Sequence, residues 1–128
     1  MHDDIIVSYS VDFACKKLEI HTYNSLLNRK GTIEFENVLT HFFTGSLNVN
    51  QILDIDEWGI DNFMKENEKY LMDMKKYTWP VPYQNLQDLN DYLVTNNYKY
   101  IKLVSAYGMF GWVLAKKYQT TECLLSNI

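Results

Sequence analysis

Residues 5–23 read IIVSYSVDFACKKLEIHTY, and this stretch decides the fold class. Apolar side chains stand at every second position from Ile5 to Phe13, with mostly polar residues between them. A period of two is typical of a strand that buries one face. The alternation resumes over residues 17–23, after a connection of only three residues. We therefore expect two antiparallel strands joined as a hairpin.

The rest of the chain adds further strands and several helical patterns. Four more strands are predicted, over residues 32–36, 52–56, 98–105 and 110–118. The apolar residues Val38, Leu39, Phe42 and Phe43 recur at spacings of three and four, which predicts one or two helical turns. Longer helices are predicted over about 60–75 and about 86–94, because apolar residues there form a single stripe.

This order of elements predicts a single α+β domain over residues 1–128. We expect a mainly antiparallel sheet of about five to six strands, with two main helices packed on one side. The strand order stays open, because the strand that follows Gly45 could pair at either edge of the sheet.

Composition narrows the class of protein. Hydrophobic residues make up 47% and charged residues 22% of the 128 positions, which indicates a globular fold. The formal net charge of -4 disfavours nucleic acid as a partner, since proteins that bind it are normally basic. No apolar run approaches the roughly 20 residues of a membrane helix. The acidic start and the two cysteines, Cys15 and Cys123, are typical of a cytoplasmic protein with reduced thiols and no membrane association.

Negative charge is concentrated in the middle of the chain. Residues 34–73 contain nine carboxylates and only two lysines. One interpretation is an acidic surface that attracts a basic partner, and the other is an ordinary solvated surface. The densest acidic cluster is Asp54-Ile55-Asp56-Glu57-Trp58, in which a strand would point Asp54 and Asp56 to the same face. Two such carboxylates could also hold a divalent cation or act as an acid–base pair with His41 nearby.

Two aromatic segments have both a structural and a functional interpretation. Residues 79–83 read WPVPY, and residues 107–112 read YGMFGW. The first is a connection that two prolines keep out of regular helix, and the second is a glycine-containing hairpin turn. Either could instead form the rim of a binding surface, since aromatic residues in loops make good anchors. Sequence alone leaves both interpretations open.

Four segments resemble small single-domain proteins of low-GC Gram-positive bacteria, some of which are immunity proteins of polymorphic toxin systems. These segments are residues 9–13, residues 35–38 with 41–43, residues 52–55 and residues 105–113. Their residues belong to structural patterns, so the resemblance carries over no catalytic residue. It implies a protein that is made beside a toxin and neutralises it.

The sequence therefore favours a binding protein with no catalytic activity and no cofactor. We expect it to occlude a basic toxin domain, such as a nuclease, through an acidic surface. The residues predicted for that surface are Glu34, Glu36, Asp54, Asp56, Glu57 and Asp61, with Trp58 as an anchor. One alternative is a small enzyme with a metal-assisted or acid–base site around Asp54, Asp56 and Glu57. Another is a structural or phage-derived oligomer subunit.

Overall fold

A computed structural model describes residues 4–44, 52–105 and 110–125. The strands are β1 (Ile5–Asp12), β2 (Lys17–Asn24), β3 (Arg29–Thr44), β4 (Ile52–Trp58), β5 (Lys99–Ser105) and β6 (Phe110–Leu124). The helices are α1 (Ile60–Glu66), α2 (Glu68–Met74) and α3 (Leu86–Thr95), and a 3₁₀ turn covers Lys75–Tyr77. In these residues the strands form one antiparallel sheet in the order β1-β2-β3-β6-β5-β4. This architecture confirms the predicted α+β class with a mainly antiparallel sheet.

The helical layer differs in one detail from the prediction. The single helix expected over residues 60–75 is two helices, because Asn67 leaves helical geometry at φ -115 and ψ 15. Its backbone N–H and side-chain Nδ2 both donate to the carbonyl of Phe63, at 3.1 and 3.0 Å. Asn67 thus closes the end of α1 and redirects the chain into α2. The helix at Leu86–Thr95 forms as expected, with Asn85 as its N-cap.

The short helix predicted at residues 38–43 is wrong, because this segment is the second half of strand β3. Asn37 has a φ of 54, and the pairing with β6 shifts by one residue between Val38 and Thr40. Such irregularities reset the alternation of a strand. Phe35 and Val38 therefore pack against the same core although they are three residues apart. The left-handed conformation of Asn37 and the register shift after Val38 thus explain why the apolar spacing of this strand resembles that of a helix.

Strand β1 also departs from the predicted alternation. Val7 forms a bulge, because Ile6 pairs with Thr22 and the next paired residue is Ser8. As a result Ile6 is buried at 7% exposure, whereas Val7 is 60% exposed. Of the five residues predicted on the buried face, only Val11 is half-buried and packs against the core, whereas Ile5, Val7, Tyr9 and Phe13 are exposed. Because β1 is an edge strand, this bulge also disturbs the row of backbone groups that it leaves unpaired.

The sheet is bent so strongly that two of its parts cover each other. Tyr9 of β1 and Phe43 of β3 are in ring contact, with centroids 5.2 Å apart. Yet Tyr9 aligns through Ile20 with Ile33, ten residues before Phe43, which is about 33 Å along an extended strand. A flat sheet cannot make that contact. The bend encloses a first core that, in the described residues, consists of strand side chains alone: Ile6, Leu18, Ile20, Ile33, Phe35, Ile101, Leu103, Val113 and Ala115.

A second core lies between the helices and the other face of the sheet. Its fully buried members include Phe63 of α1, Leu71 of α2 and Leu93 of α3, which pack on Tyr100 and Trp112 of the sheet. Burial of each large apolar side chain contributes about 1.5–3 kcal/mol. Across residues 4–44, 52–105 and 110–125, every helix is too short or too polar to cross a bilayer.

Candidate functional site

Strand β4 exposes part of the predicted acidic set at one edge of the sheet. Asp56, Glu57 and Trp58 are all exposed on this strand, and Trp58 keeps 43% of its surface accessible. Asp61 is also exposed, in the first turn of α1, directly after β4 ends. Asp54 lies on the same strand, opposite Val104 of β5. Asp56, Glu57, Trp58 and Asp61 together are called the edge surface below.

The other two predicted carboxylates, Glu34 and Glu36, lie on β3 and face a small cavity. Its volume is about 210 Å³, and it is lined by Glu34, Glu36, Lys99, Lys117, Tyr118 and Gln119. Lys99 connects this cavity to the edge surface, because its Nζ lies 3.7 Å from Oε1 of Glu57. Glu34 has a further cation nearby, since Nζ of Lys17 lies 3.9 Å from its Oε1. Glu34 and Glu36 therefore lie among lysines, of which Lys17 pairs with Glu34 and Lys99 with Glu57.

The negative charges of the edge surface act electrostatically on Tyr118, which lines this cavity. Partial burial raises the pKa of the Tyr118 hydroxyl, and the negative charges of Glu57 and Asp56 raise it further. The ammonium of Lys99 also lies 6.0 Å from the centroid of the Tyr118 ring. The predicted set thus divides into an exposed part on β4 and α1, in which Glu57 is paired with Lys99, and a half-buried part on β3.

A larger cavity lies beneath the junction of α1 and α2. Its volume is about 390 Å³, and its lining residues are Phe42, Glu66, Asn67, Tyr70, Tyr100, Lys102 and Trp112. The rings of Phe42 and Trp112 stack with centroids 6.2 Å apart, and Phe42 contacts Tyr70 at the same distance. Phe42 and Tyr70 are each 41% exposed, whereas Trp112 is only 4% exposed. This space is called the aromatic cavity below.

Glu66 is the anionic group of the aromatic cavity. Its Oε2 accepts a hydrogen bond of 2.6 Å from the hydroxyl of Tyr100, and its Oε1 accepts one of 3.0 Å from Lys102. Burial disfavours the charged form of Glu66, but the bonds from Tyr100 and Lys102 outweigh it and lower its pKa. The same bond has the opposite effect on Tyr100, whose pKa burial and the Glu66 charge both raise. Glu66 is therefore a carboxylate, and Tyr100 a neutral donor, at neutral pH.

Lys102 links the aromatic cavity to the edge surface. Its Nζ lies 4.6 Å from the ring centroid of Trp58 and 5.9 Å from that of Tyr100. Asp56 of β4 is its cross-strand neighbour. The predicted anchor Trp58 thus contacts Lys102, which lines a cavity that the sequence pattern did not predict. The sequence contains one indication of this cavity, because Lys102 is a lone charge inside the apolar run Tyr100–Val104. Its partner Glu66, however, lies 36 residues away in the chain.

The two aromatic segments are described to different extents. Trp79 packs inward, with ring contacts to Tyr70 at 5.1 Å and to Trp112 at 6.3 Å. The hydroxyl of Tyr83 donates to the carbonyl of Leu71 at 2.7 Å. These contacts favour a structural role for residues 79–83. Of the second segment, residues 107–109 lie outside the described residues.

Gly111 and Trp112, at the end of that second segment, are buried. A Cβ atom at Gly111 would lie 2.0 Å from the carbonyl oxygen of Phe42. Glycine therefore allows β6 to approach β3 closely, and this approach brings Phe42 against Trp112. Both rings border the aromatic cavity, so Gly111 helps to shape it.

The acid–base group proposed as an alternative does not come together around His41. In the sheet, His41 aligns with Val113, then Ile101, then Glu57, so three strand spacings separate it from Glu57. This is about 14 Å along the sheet. Partial burial lowers the pKa of His41, whose ring contacts Phe43 at 5.2 Å. Across the described ranges, no group of three or more His, Cys, Asp and Glu side chains is arranged to hold a metal ion.

No protein-family model matches this chain, and no curated protein or solved structure shows significant similarity to it. The resemblance to immunity proteins therefore stays a prediction.

Proposed function

We propose that this chain is a binding protein without catalytic activity that neutralises a basic toxin domain, in the manner of an immunity protein. The observation that carries the proposal is the edge surface. Three carboxylates and one half-exposed tryptophan lie within six residues, on and just after the strand that forms one edge of the sheet in the described residues. Asp56 and Trp58 share the sheet face of Lys102 and Tyr100, whereas Glu57 lies beside Lys99 on the other face. An aromatic anchor surrounded by a polar, solvent-accessible rim is a common arrangement in a protein-binding surface.

The charges suit a role in association. The helices α1, α2 and α3 carry six carboxylates and two lysines, so the negative field extends beyond the edge surface. Such a field accelerates the encounter with a basic partner and becomes weaker as salt is added. A toxin that cuts nucleic acid has a basic cleft for phosphates, which an acidic surface can fill or cover.

Trp58 supplies the apolar part of the interface. Its ring already contacts the ammonium of Lys102 on one side, and 43% of its surface is accessible to a partner. Tryptophan is enriched among the residues that contribute most to binding energy, because it buries a large apolar area on contact. In this proposal the carboxylates set the rate of association and Trp58 slows dissociation.

A growth experiment tests this proposal. The reading frame that adjoins the gene for this chain is induced in a host, alone and together with this chain. We expect the neighbouring product to arrest growth and this chain to restore it. The two proteins should also co-purify as a complex. A harmless neighbour, or one that arrests growth whether or not this chain is present, would contradict the proposal.

A further inference from the structure

We infer that this chain forms a weak homodimer in which strand β1 of one copy pairs antiparallel with β1 of a second copy. This inference goes beyond the proposed function, because it concerns the sheet edge opposite the edge surface. In the described residues β1 pairs with β2 alone, so one row of its backbone N–H and C=O groups has no strand beside it. Such a row is a template for pairing with another chain.

Apolar side chains of β1 and of the residue that follows it lie exposed at this edge. Val7 is 60% exposed, Tyr9 is 43% exposed, and Phe13 is 83% exposed. Tyr9 faces the first core, because it pairs with the fully buried Ile20, yet its ring is only partly covered. A strand placed beside β1 would therefore bury apolar surface in addition to pairing its backbone groups.

A second copy of β1 fits this edge because apolar and polar positions alternate symmetrically about Ser10. An antiparallel pair with its two-fold axis at Ser10 places Tyr9 opposite Val11 of the second copy. The same axis brings Val7 close to Phe13 of the second copy. Aromatic and β-branched residues are favourable cross-strand partners, and the symmetry makes each contact twice.

The bulge at Val7 limits the length of this pairing but does not prevent it. From Ser8 to Asp12 the register of β1 with β2 is unbroken, so these residues form a regular edge. A pair of such short strands, with the apolar contacts beside it, buries on the order of 1,000 Å² in total, which is near the lower limit for a specific interface. We therefore expect a dimer that dissociates readily.

Charge permits self-pairing at β1 and opposes it at the other edge of the sheet. The one charged residue of β1 is Asp12, which lies opposite Ser8 of the second copy in this register. Strand β4 contains Asp54, Asp56 and Glu57, and two antiparallel copies of it would bring carboxylates together. Like charges opposite each other destabilise a sheet. Pairing through β1 thus leaves the edge surfaces of both copies accessible to a partner.

Sedimentation equilibrium of the full chain over a range of concentrations tests the inference. We expect a monomer–dimer equilibrium with a Kd on the order of 100 µM. Charge reversal at Ser8 tests the register. Ser8→Lys should tighten the dimer about five-fold and Ser8→Asp should weaken it about five-fold, because each dimer contains the contact with Asp12 twice.

The matched controls are Ser25→Lys and Ser25→Asp, which change the net charge equally. Ser25 is exposed in the turn between β2 and β3, outside the proposed interface. We expect each control to change the Kd by less than about two-fold, since added salt screens charges that are far from the contact. Thermal unfolding of each variant establishes that it is folded.

A chain that stays monomeric at about ten times the expected Kd would overturn the inference. Ser8 variants that behave like the Ser25 controls would overturn the register. A monomeric chain in which Ser8→Asp slows association with the partner would assign β1 to that partner instead of a second copy.

The growth experiment separates this inference from the proposed function. Restored growth by a monomeric chain would remove the dimer and keep the neutralising role. A dimer that leaves growth arrested would do the reverse.

Discussion

Nη2 of Arg29 lies 2.8 Å from Oδ1 of Asp4, whose side chain is fully buried. The same carboxylate accepts hydrogen bonds from Asn24 at 2.9 Å and from Thr22 at 3.4 Å. The guanidinium of Arg29 also reaches Glu122, with Nη1 3.3 Å from Oε2. This network ties the residue before β1 to strands β2, β3 and β6. It therefore holds together the sheet end that lies far from the edge surface.

Loss of Arg29 should strongly destabilise the fold. Arg29→Met leaves the buried carboxylate of Asp4 without its cation. We expect this to lower the free energy of unfolding by about 3–5 kcal/mol. Urea unfolding measures this loss. The matched control is Lys30→Met, because Lys30 is the exposed neighbour of Arg29, and we expect it to change stability by about 0.5 kcal/mol or less. Equal effects of the two substitutions would contradict the importance of this network.

Asn37 should tolerate glycine but not a branched residue. Its φ of 54 lies in the left-handed region, where a β-branched side chain is strained. We expect Asn37→Val to lower the free energy of unfolding by about 1–2 kcal/mol. Asn37→Gly should stay within about 0.5 kcal/mol of the original chain, since glycine adopts this conformation without strain. If valine is tolerated as well as glycine, the irregularity in β3 is wrongly located.

Stability should fall in alkaline solution partly because of Tyr100. Its pKa is raised above the ordinary value of 10.0 by burial and by Glu66, so the folded state favours the protonated form. That contribution is complete below pH 10 and is lost as pH rises through the folded pKa. Tyr100→Phe should therefore be less stable at neutral pH but decline less steeply above pH 10. Thermal unfolding from neutral to alkaline pH measures both effects, with Tyr77→Phe, an exposed ring, as the control.

In acidic solution, stability should depend on Glu66 in the opposite direction, so that it falls as the pH falls. The folded pKa of Glu66 lies below its ordinary value of 4.5, so its contribution is present above that value and is lost as pH falls through the folded pKa. We expect Glu66→Gln to flatten the decline of stability below about pH 4.5. The effect should be small, since more than a third of the carboxylate side chain is exposed. A steeper acid decline in the variant than in the original chain would be inconsistent with this sign.

Divalent cations should leave the melting temperature unchanged. His41 and Glu57 are three strand spacings apart, so His41 does not join the carboxylates of β4 in the alternative site. Differential scanning fluorimetry with magnesium, manganese and zinc checks this expectation. A saturable upward shift that Glu57→Gln abolishes would instead support the enzymatic alternative.

Local patterns predicted much of the fold from sequence. The hairpin of β1 and β2 follows from alternation within residues 5–23, and α3 from one apolar stripe behind the N-cap Asn85. The error at residues 38–43 has a different origin. The shift between Val38 and Thr40 depends on how β3 pairs with β6, and no single segment contains that information.

The candidate site was predicted only in part for the same reason. Asp56, Glu57, Trp58 and Asp61 are close in sequence, so their cluster could be recognised directly. Glu66 and Tyr100 meet across 34 residues, and their contact exists only after α1 packs on β5. Glu34 and Glu36 were predicted to share the acidic surface, but their proximity to Lys99 and Lys117 depends on the folded sheet.

The most direct test of the central claim is the rate of association with the partner that the growth experiment identifies. Stopped-flow measurements at low and high salt compare the triple variant Asp56→Asn, Glu57→Gln, Asp61→Asn with a control triple of equal charge, Asp73→Asn, Asp88→Asn, Asp91→Asn. The control residues are exposed on α2 and α3. We predict that the first triple associates about ten-fold more slowly at low salt and loses most of its salt dependence, while the control, which weakens only the surrounding negative field, is slowed by a clearly smaller factor. Equal rates for the two triples would contradict the claim that the edge surface binds the partner.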